Sequence, residues 1–200
     1  MSWIETINYS QATGKLKTLY DRIKGPNNNV DNIMMAHSLR PHTMEGHLAL
    51  YKNVLHHAAN TLPEWYLEVI GVKVSLLNGC TYCVQHHLAG LDKLIGNATI
   101  FDAMKDELHQ DGSYSGFSEK EQAGMTYVEA LTNSPANISA SDIRRLTMAG
   151  FSDAEILEMN QVASYFAYAN RTVLGLGVNT ENDILGLSPS SVDSDDWSHR

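Results

Sequence analysis

The chain has 200 residues, a hydrophobic fraction of 43% and a formal net charge of −9 at pH 7. This length and composition suit one compact domain with its own apolar core. The negative charge argues against nucleic acids and anionic membranes as partners, because both bind basic surfaces. No apolar run approaches the roughly 20 residues that span a bilayer. The N-terminus lacks a signal-peptide pattern and only two cysteines occur, so the cytoplasm is the expected location.

The periodicity predicts an all-α protein. Apolar residues recur at helical spacing in segments 16–23, 48–58, 69–77 and 156–166, and no segment alternates as a strand does. Glycine and proline separate these segments. Thr61, Ser118 and Ser152 each stand three residues before a glutamate. Such a hydroxyl and carboxylate can satisfy free N–H groups at a helix start, so we expect capping boxes at these three sites.

We expect one all-helical domain over residues 1–187. The polar tail at 188–200 is rich in Ser and Asp and is expected to be mobile. Segments 64–96 and 153–178 have a similar layout, which suggests two pseudo-repeated halves. The first would be a redox half at about residues 40–110, and the second a structural half at about residues 118–180.

Both cysteines of the chain, Cys80 and Cys83, lie within one nine-residue stretch. A disulfide between them would close a loop of about four residues and contribute only about 2 kcal/mol in the chain-entropy model. Structural disulfides usually close longer loops. The spacing therefore indicates a reversible redox couple or half of a metal site.

If one helix ends at residues 78–79, the cysteines lie in the first turn of the next helix. The helix dipole and the free N–H groups there favour a thiolate. Cys80, Cys83 and His87 then share one face of that helix. Glu68 on the preceding helix becomes a second proton-handling group if the two helices pack antiparallel. Two thiols, a histidine and a carboxylate suit peroxide reduction through a sulfenic acid and then a disulfide.

The order and spacing of Glu68, Cys80, Cys83 and His87 resemble the motif of the alkylhydroperoxidase D group of the carboxymuconolactone decarboxylase family. The surrounding segment 61–96 resembles the same group. The second half, residues 118–178, is similar to the peroxidase-related branch. The resemblance covers about residues 10–180.

This resemblance implies an all-α helical array that forms homo-oligomers and reduces hydroperoxides without a cofactor or metal. A thiol reductant, either dihydrolipoyl-type or thioredoxin-like, would restore the dithiol. By the same resemblance, Cys83 attacks the peroxide, and Cys80 is the more accessible cysteine that donates a proton and resolves. Glu68 and His87 form the proton relay. The chain departs from the best-known members in having Tyr82 where they carry a histidine.

Two alternatives remain open from the residues alone. The first is a dithiol–disulfide oxidoreductase that acts on a substrate other than a peroxide. The second is a zinc-stabilised structural or interaction module, with Cys80, Cys83 and His87 as ligands and Glu68 or water as the fourth. The cysteine pair argues against the lactone decarboxylase activity found in the parent family.

The other histidines show no ligand spacing with a thiol or carboxylate. His86 is expected at the surface or at an interface, because it points about 100° away from His87 around the helix. Dispersed surface positions are also expected for His37, His42, His47, His56 and His57.

Overall fold

The computed structural model describes residues 2–186, and this part of the chain forms nine α-helices and two short 3-10 helices without any strand. The all-α prediction is confirmed. The tail at 188–200 that we expected to be mobile lies outside the described residues. The helices are α1 (Gly14–Ile23), α2 (Asn32–Met35), α3 (Pro41–Leu55), α4 (Glu64–Leu77), α5 (Thr81–Ile95), α6 (Ala98–Asp111), α7 (Glu119–Asn133), α8 (Ala140–Met148) and α9 (Asp153–Leu176).

Two of the three predicted capping boxes are present. The Ser118 and Ser152 hydroxyls accept from the backbone three residues on, and the glutamate there accepts in return. The third prediction, at Thr61, is wrong because Pro63 occupies the N-cap of α4 and makes no side-chain cap. The Thr61 hydroxyl and backbone N–H donate instead to the carboxylate of Glu158 on α9, at 3.1 and 2.9 Å. A long-range contact has replaced the local one.

Helix α4 lies at the centre of the fold. All of its residues from 66 to 75 are buried, and it packs against α5, α7 and α9. A helix that is buried on every side lacks a polar face, which explains why the apolar stripe at 69–77 is unusually broad. Two charged side chains nevertheless lie within it: Lys73, which pairs with Glu129 of α7 at 2.7 Å, and Glu68.

The connection between α4 and α5 is a Schellman motif. The N–H of Cys80 donates to the Ser75 carbonyl at 2.8 Å, and the N–H of Gly79 donates to the Leu76 carbonyl at 3.0 Å. Gly79 has a φ of +69°, a conformation that glycine adopts without the steric cost of a Cβ. The turn brings Cys80 directly to the N-cap of α5, as the sequence predicted.

Gly71 allows α4 and α9 to approach closely, which leads to a stability prediction. A Cβ added at Gly71 would overlap the ring of Phe166, which is fully buried and packs against the His87 ring at a centroid distance of 4.5 Å. We expect Gly71→Ala to lower the free energy of unfolding by about 1–3 kcal/mol, because the ring has no free space to enter. Urea denaturation measures this change.

Gly46→Ala on α3 is the matched control, because an added Cβ there meets no atom within 4 Å. It should leave stability unchanged or raise it by up to about 1 kcal/mol, through helix propensity. Equal destabilisation by both variants would contradict the role given to the Gly71–Phe166 contact.

Candidate active site

The two thiols lie side by side at the start of α5. Both cysteines are free, and their Sγ atoms are 3.2 Å apart. Cys80 has no exposed surface, whereas Cys83 is 3% exposed and borders a cavity that Cys80 does not reach. The expectation that Cys80 is the more accessible thiol is therefore wrong. The turn between α4 and α5 buries Cys80 at the N-cap of α5, whereas Cys83 lines the cavity.

The environment makes the two thiols electrostatically unequal. The pKa of Cys80 is lowered to about 7, first because the Cys83 thiol donates a hydrogen bond to it, with help from backbone N–H groups of the first α5 turn. The pKa of Cys83 is raised well above its ordinary value by the same interaction with Cys80 and by burial. The pair thus loses its first proton near neutral pH and holds its second proton tightly.

Asn170 of α9 fixes this arrangement from the opposite side. It is fully buried, donates to the Ser75 hydroxyl at 3.1 Å and accepts from the Asn78 amide at 2.9 Å. It also acts to lower the pKa of both cysteines and so favours their ionised forms. A buried amide with its hydrogen bonds satisfied has one orientation, so Asn170 orders the end of α4 and the thiols together.

Glu68 and His87 form the second part of the site. The antiparallel packing of α4 and α5 brings the Glu68 Oε2 atom to 2.7 Å from the His87 Nδ1 atom. The Glu68 side chain is 3% exposed and that of His87 is 15% exposed. His87 follows Cys83 by one helical turn, so its ring lies on the thiol face of α5. The structure therefore brings all four predicted site residues together.

These groups border a cavity of about 60 Å³, which has room for only a few water molecules or one end of a larger ligand. Cys83, Glu68 and His87 contribute to its wall, and Tyr51 and Tyr165 add aromatic rings. A thiol, a paired histidine and carboxylate, and aromatic walls in a largely closed space can support nucleophilic and proton-transfer chemistry.

Part of the chain matches a known family. Residues 41–123, which span α3 to the start of α7, match the model of the carboxymuconolactone decarboxylase family. This match covers 83 of the 200 residues, so the resemblance to that family rests on the segment that contains the two cysteines. No curated protein matches the chain in sequence.

Solved structures show the same fold. The chain is similar to the alkylhydroperoxidase AhpD core of an uncharacterized peroxidase-related protein from Ralstonia eutropha JMP134, with a TM-score of 0.74 and 18% identity over 92% of this chain and 96% of that one. A peroxidase-related protein from Silicibacter sp. TM1040 gives 0.68 and 22% over 78% and 80%. The debrominase Bmp8 gives 0.67 and 18% over 87% and 89%. The AhpD-like helical fold is thus confirmed.

Tyr82, the departure from the best-known family members, has its hydroxyl fully engaged. It donates to the Asp183 Oδ2 atom at 2.7 Å and accepts from the Ile33 N–H at 3.2 Å. Burial raises its pKa well above the ordinary value, with the charge of Asp183 adding to the effect. This hydroxyl holds the segment after α9 against α5, and it cannot relay protons as a histidine at this position could.

Several histidines are more buried than the sequence predicted. His86, expected at the surface or at an interface, has a side chain that is 10% exposed; its Nε2 atom is 3.2 Å from the Asp183 Oδ2 atom, and its ring packs on Tyr82. His47 is also buried, 3.2 Å from the Tyr165 hydroxyl, and it borders the cavity. The spacing of His47 from Met44 and Tyr51 places it within the apolar stripe of α3, a signal that could have revealed its burial.

Four more histidines were expected at the surface, and one of them, His57, is partly exposed. His37 is buried beside His47, with ring centroids 5.2 Å apart, and the His56 side chain is 5% exposed. For both of these the expectation is wrong, whereas His42 is exposed as expected.

Within residues 2–186, no group of three or more His, Cys, Asp or Glu side chains could hold a metal ion. The zinc alternative gains no support from this part of the chain.

Among the helices of residues 2–186, none combines the length and the apolar character needed to cross a membrane.

The coupling of the two thiols leads to a prediction. Cys83→Ala removes the hydrogen bond that lowers the Cys80 pKa most, so this pKa should rise above about 7. Conversely, Cys80→Ala should lower the pKa of Cys83, because the interaction that raises it most is lost. Ultraviolet thiolate absorbance of the reduced proteins, titrated against pH, measures both shifts. An unchanged Cys80 titration in Cys83→Ala would contradict the coupling.

His47 gives a prediction about acid stability. Burial, with His37 nearby, lowers the pKa of His47 to about 3, whereas an unfolded histidine titrates near 6.5. Its contribution to stability is therefore complete above pH 6.5 and is lost as the pH falls from there towards 3, by about 1.4 kcal/mol per pH unit. His47→Gln should reduce the slope of unfolding free energy against pH in this window. His109→Gln, at an exposed position, should not.

Proposed function

We propose that this protein is a thiol-dependent peroxidase that reduces hydroperoxides through Cys83 and Cys80. One observation carries the proposal: Cys83 borders a cavity that also contains the Glu68–His87 pair, and a second thiol lies 3.2 Å behind it. A peroxidase of this kind needs a nucleophilic sulfur that substrate can reach, a proton shuttle, and a resolving thiol within bonding reach. The family and the peroxidase-related structural neighbours support the same activity.

In the first step, the Cys83 sulfur attacks one oxygen of the substrate and the O–O bond breaks. His87, oriented through its Nδ1 atom by Glu68, receives the Cys83 proton and passes it to the departing alkoxide. The products are a sulfenic acid on Cys83 and an alcohol, so the proton and the electron pair are both accounted for.

In the second step, the Cys80 thiolate attacks the Cys83 sulfur, and hydroxide leaves as water after taking up one proton. The sulfurs must close from 3.2 Å to about 2.0 Å, a movement that side-chain rotation in the first α5 turn can supply. Backbone N–H groups of the first α5 turn lower the Cys80 pKa and favour its thiolate in this step.

A thiol reductant, dihydrolipoyl-type or thioredoxin-like, then reduces the disulfide. Its thiol meets Cys83 first, because that sulfur borders the cavity whereas Cys80 has no exposed surface. Attack there releases Cys80 at the N-cap of α5, where backbone N–H groups lower its pKa and so favour its departure as a thiolate. The overall reaction converts a hydroperoxide and a dithiol to an alcohol, water and a disulfide.

We also propose a homo-oligomer in the cytoplasm with no nucleic acid or membrane partner. Several large apolar side chains, including Trp3, Met148 and Leu157, are more than half exposed, and such surface suits contact between copies of the chain. Analytical ultracentrifugation would test the assembly.

Stopped-flow peroxide consumption tests the activity. Cys83→Ser should abolish turnover, and Cys80→Ser should form one sulfenic acid per chain and then stop, as mass spectrometry after trapping would show. Glu68→Gln should slow sulfenic acid formation about 100-fold, because His87 loses its orienting partner. Peroxide turnover by Cys83→Ser at the wild-type rate would overturn the proposal.

A second candidate is reductive dehalogenation by the same dithiol. The debrominase Bmp8 has a similar fold, and one of its solved structures contains 2,3,4-tribromopyrrole. The aromatic rings of Tyr51 and Tyr165 on the cavity wall would suit a small flat ring, and the hydroxyl of Tyr82 is unavailable for a peroxide relay. Replacing a carbon–bromine bond by carbon–hydrogen consumes two thiols and releases a disulfide and hydrogen bromide.

Competition between substrates separates these activities. With one thiol reductant present, the rates of alcohol formation from an alkyl hydroperoxide, bromide release from a bromopyrrole and reduction of a model disulfide are compared. Faster peroxide turnover supports the peroxidase. Faster bromide release supports the dehalogenase, and faster disulfide reduction indicates a general dithiol–disulfide oxidoreductase.

A further inference from the structure

A second acid–base cluster borders the cavity beside Cys83. Asp31, directly before α2, and His86 of α5 both line the cavity wall. The carboxylate of Asp183, in the segment after α9, lies behind His86 at 3.2 Å. These residues come from three separate parts of the chain, and the reaction steps derived above use none of them.

The Asp183 carboxylate is firmly held. Its Oδ2 atom accepts the Tyr82 hydroxyl at 2.7 Å, its Oδ1 atom accepts the Asn32 N–H at 3.0 Å, and its side chain is only 1% exposed. His86 stands three residues after Cys83 and His87 four, so the two imidazoles flank the thiol on the same face of α5. Each imidazole is paired with a buried carboxylate.

Asp31 has no evident structural task for its carboxyl group. It occupies the N-cap position of α2 without capping it, and its one side-chain hydrogen bond among the described residues is a long contact of 3.4 Å from the Asn29 amide. Burial raises the pKa of Asp31 to about 6; His86 opposes this rise and Asp183 adds to it. The cavity therefore contains a carboxyl group that exchanges its proton close to neutral pH.

The proposed peroxidase cycle needs two proton deliveries, and the Glu68–His87 pair accounts for one. That pair moves the Cys83 proton to the alcohol. The hydroxide that leaves Cys83 in the disulfide-forming step needs another proton, because Cys80 reacts as a thiolate and has none to give. Tyr82 cannot supply it, since its hydroxyl is committed to Asp183 and its pKa is raised.

We propose that Asp31 is the proton donor for the disulfide-forming step, with His86 and Asp183 as its positioning residues. The Asp31 carboxyl group gives its proton to the hydroxide leaving the Cys83 sulfur as the Cys80–Cys83 bond forms, and water is released. The Asp31 carboxylate left behind is stabilised by His86 and regains a proton from solvent. This role rests on the proposed peroxidase function and assigns a separate proton donor to each half of the cycle.

The charges around Asp31 determine the expected pH dependence. The ionisable groups that share its cavity or lie behind it are Glu68, Cys83, His86, His87 and Asp183. Tyr51, Tyr82 and Tyr165 stay neutral because their pKa values are raised, and His47 stays neutral because its pKa is lowered. Disulfide closure needs protonated Asp31 and ionised Cys80, so its rate should rise as Cys80 ionises, pass through a maximum above about pH 6 and then decline on the alkaline side.

Rapid-quench mass spectrometry with one equivalent of alkyl hydroperoxide tests this role, because it follows the sulfenic acid and the disulfide separately. Asp31→Asn should form sulfenic acid at the wild-type rate but close the disulfide about 100-fold more slowly. Its closure rate should rise with pH to a plateau, without the decline on the alkaline side. Asp102→Asn, at an exposed position of α6, is the matched control and should behave as wild type.

The two positioning residues should shift the pH of maximum closure rate in opposite directions. His86→Gln removes the charge that lowers the Asp31 pKa and should move the maximum to higher pH. Asp183→Asn removes the charge that raises this pKa and should move the maximum to lower pH. General structural damage would not give opposite shifts. Carbon-13 NMR of labelled aspartate should also show a carboxyl group that titrates near pH 6 and is missing in Asp31→Asn.

The outcomes separate this role from the peroxidase itself. Normal sulfenic acid formation, with closure by Asp31→Asn at the wild-type rate, would overturn the role of Asp31 alone. Shifts in the same direction for His86→Gln and Asp183→Asn would overturn the positioning roles. Failure of the wild-type protein to form sulfenic acid with every hydroperoxide tested would overturn the proposed function and this role together.

Discussion

The site depends on the burial of two adjacent thiols at the N-terminus of α5. A sulfur removed from water would ordinarily resist ionisation, yet the pKa of Cys80 is lowered to about 7 because hydrogen bonds from Cys83, the α5 backbone and Asn170 replace the lost solvent. The Schellman turn at Gly79 makes this possible, since it brings the chain from the end of α4 directly to the start of α5. The same few residues therefore affect both the stability of the fold and the reactivity of the two thiols.

Helix α4 contains a buried ionisable side chain as part of this arrangement. It is buried on all sides, and it still contains Glu68, whose carboxylate is matched by His87 at 2.7 Å. A buried carboxylate without a partner would be strongly destabilising, so the pair couples the integrity of the core to the orientation of the proposed proton shuttle. The close approach of Gly71 to Phe166 extends the coupling to α9, because that ring also supports His87.

The segment after α9 completes the cavity. Asp183 binds Tyr82, His86 and the backbone of Asn32, and the Gly186 carbonyl accepts from Lys93 at 2.5 Å. The family match ends at residue 123, so these contacts are made by a part of the chain that lies outside the match. Tyr82, which departs from the usual histidine, is the residue that joins the two parts.

The sequence by itself determined what depends on neighbours within a few turns: the all-α class, the capping boxes at Ser118 and Ser152, the thiol pair at a helix start and the position of Glu68 on the preceding helix. These rest on helical period and on the packing of two consecutive helices. Only the tertiary structure decided that Cys80 is the more buried thiol, that Asn170 orders both thiols, and that Asp31 and Asp183 meet at His86. These contacts join residues about 50 to 150 positions apart, and no local periodicity encodes which polar side chains the folded chain will bring together in its interior.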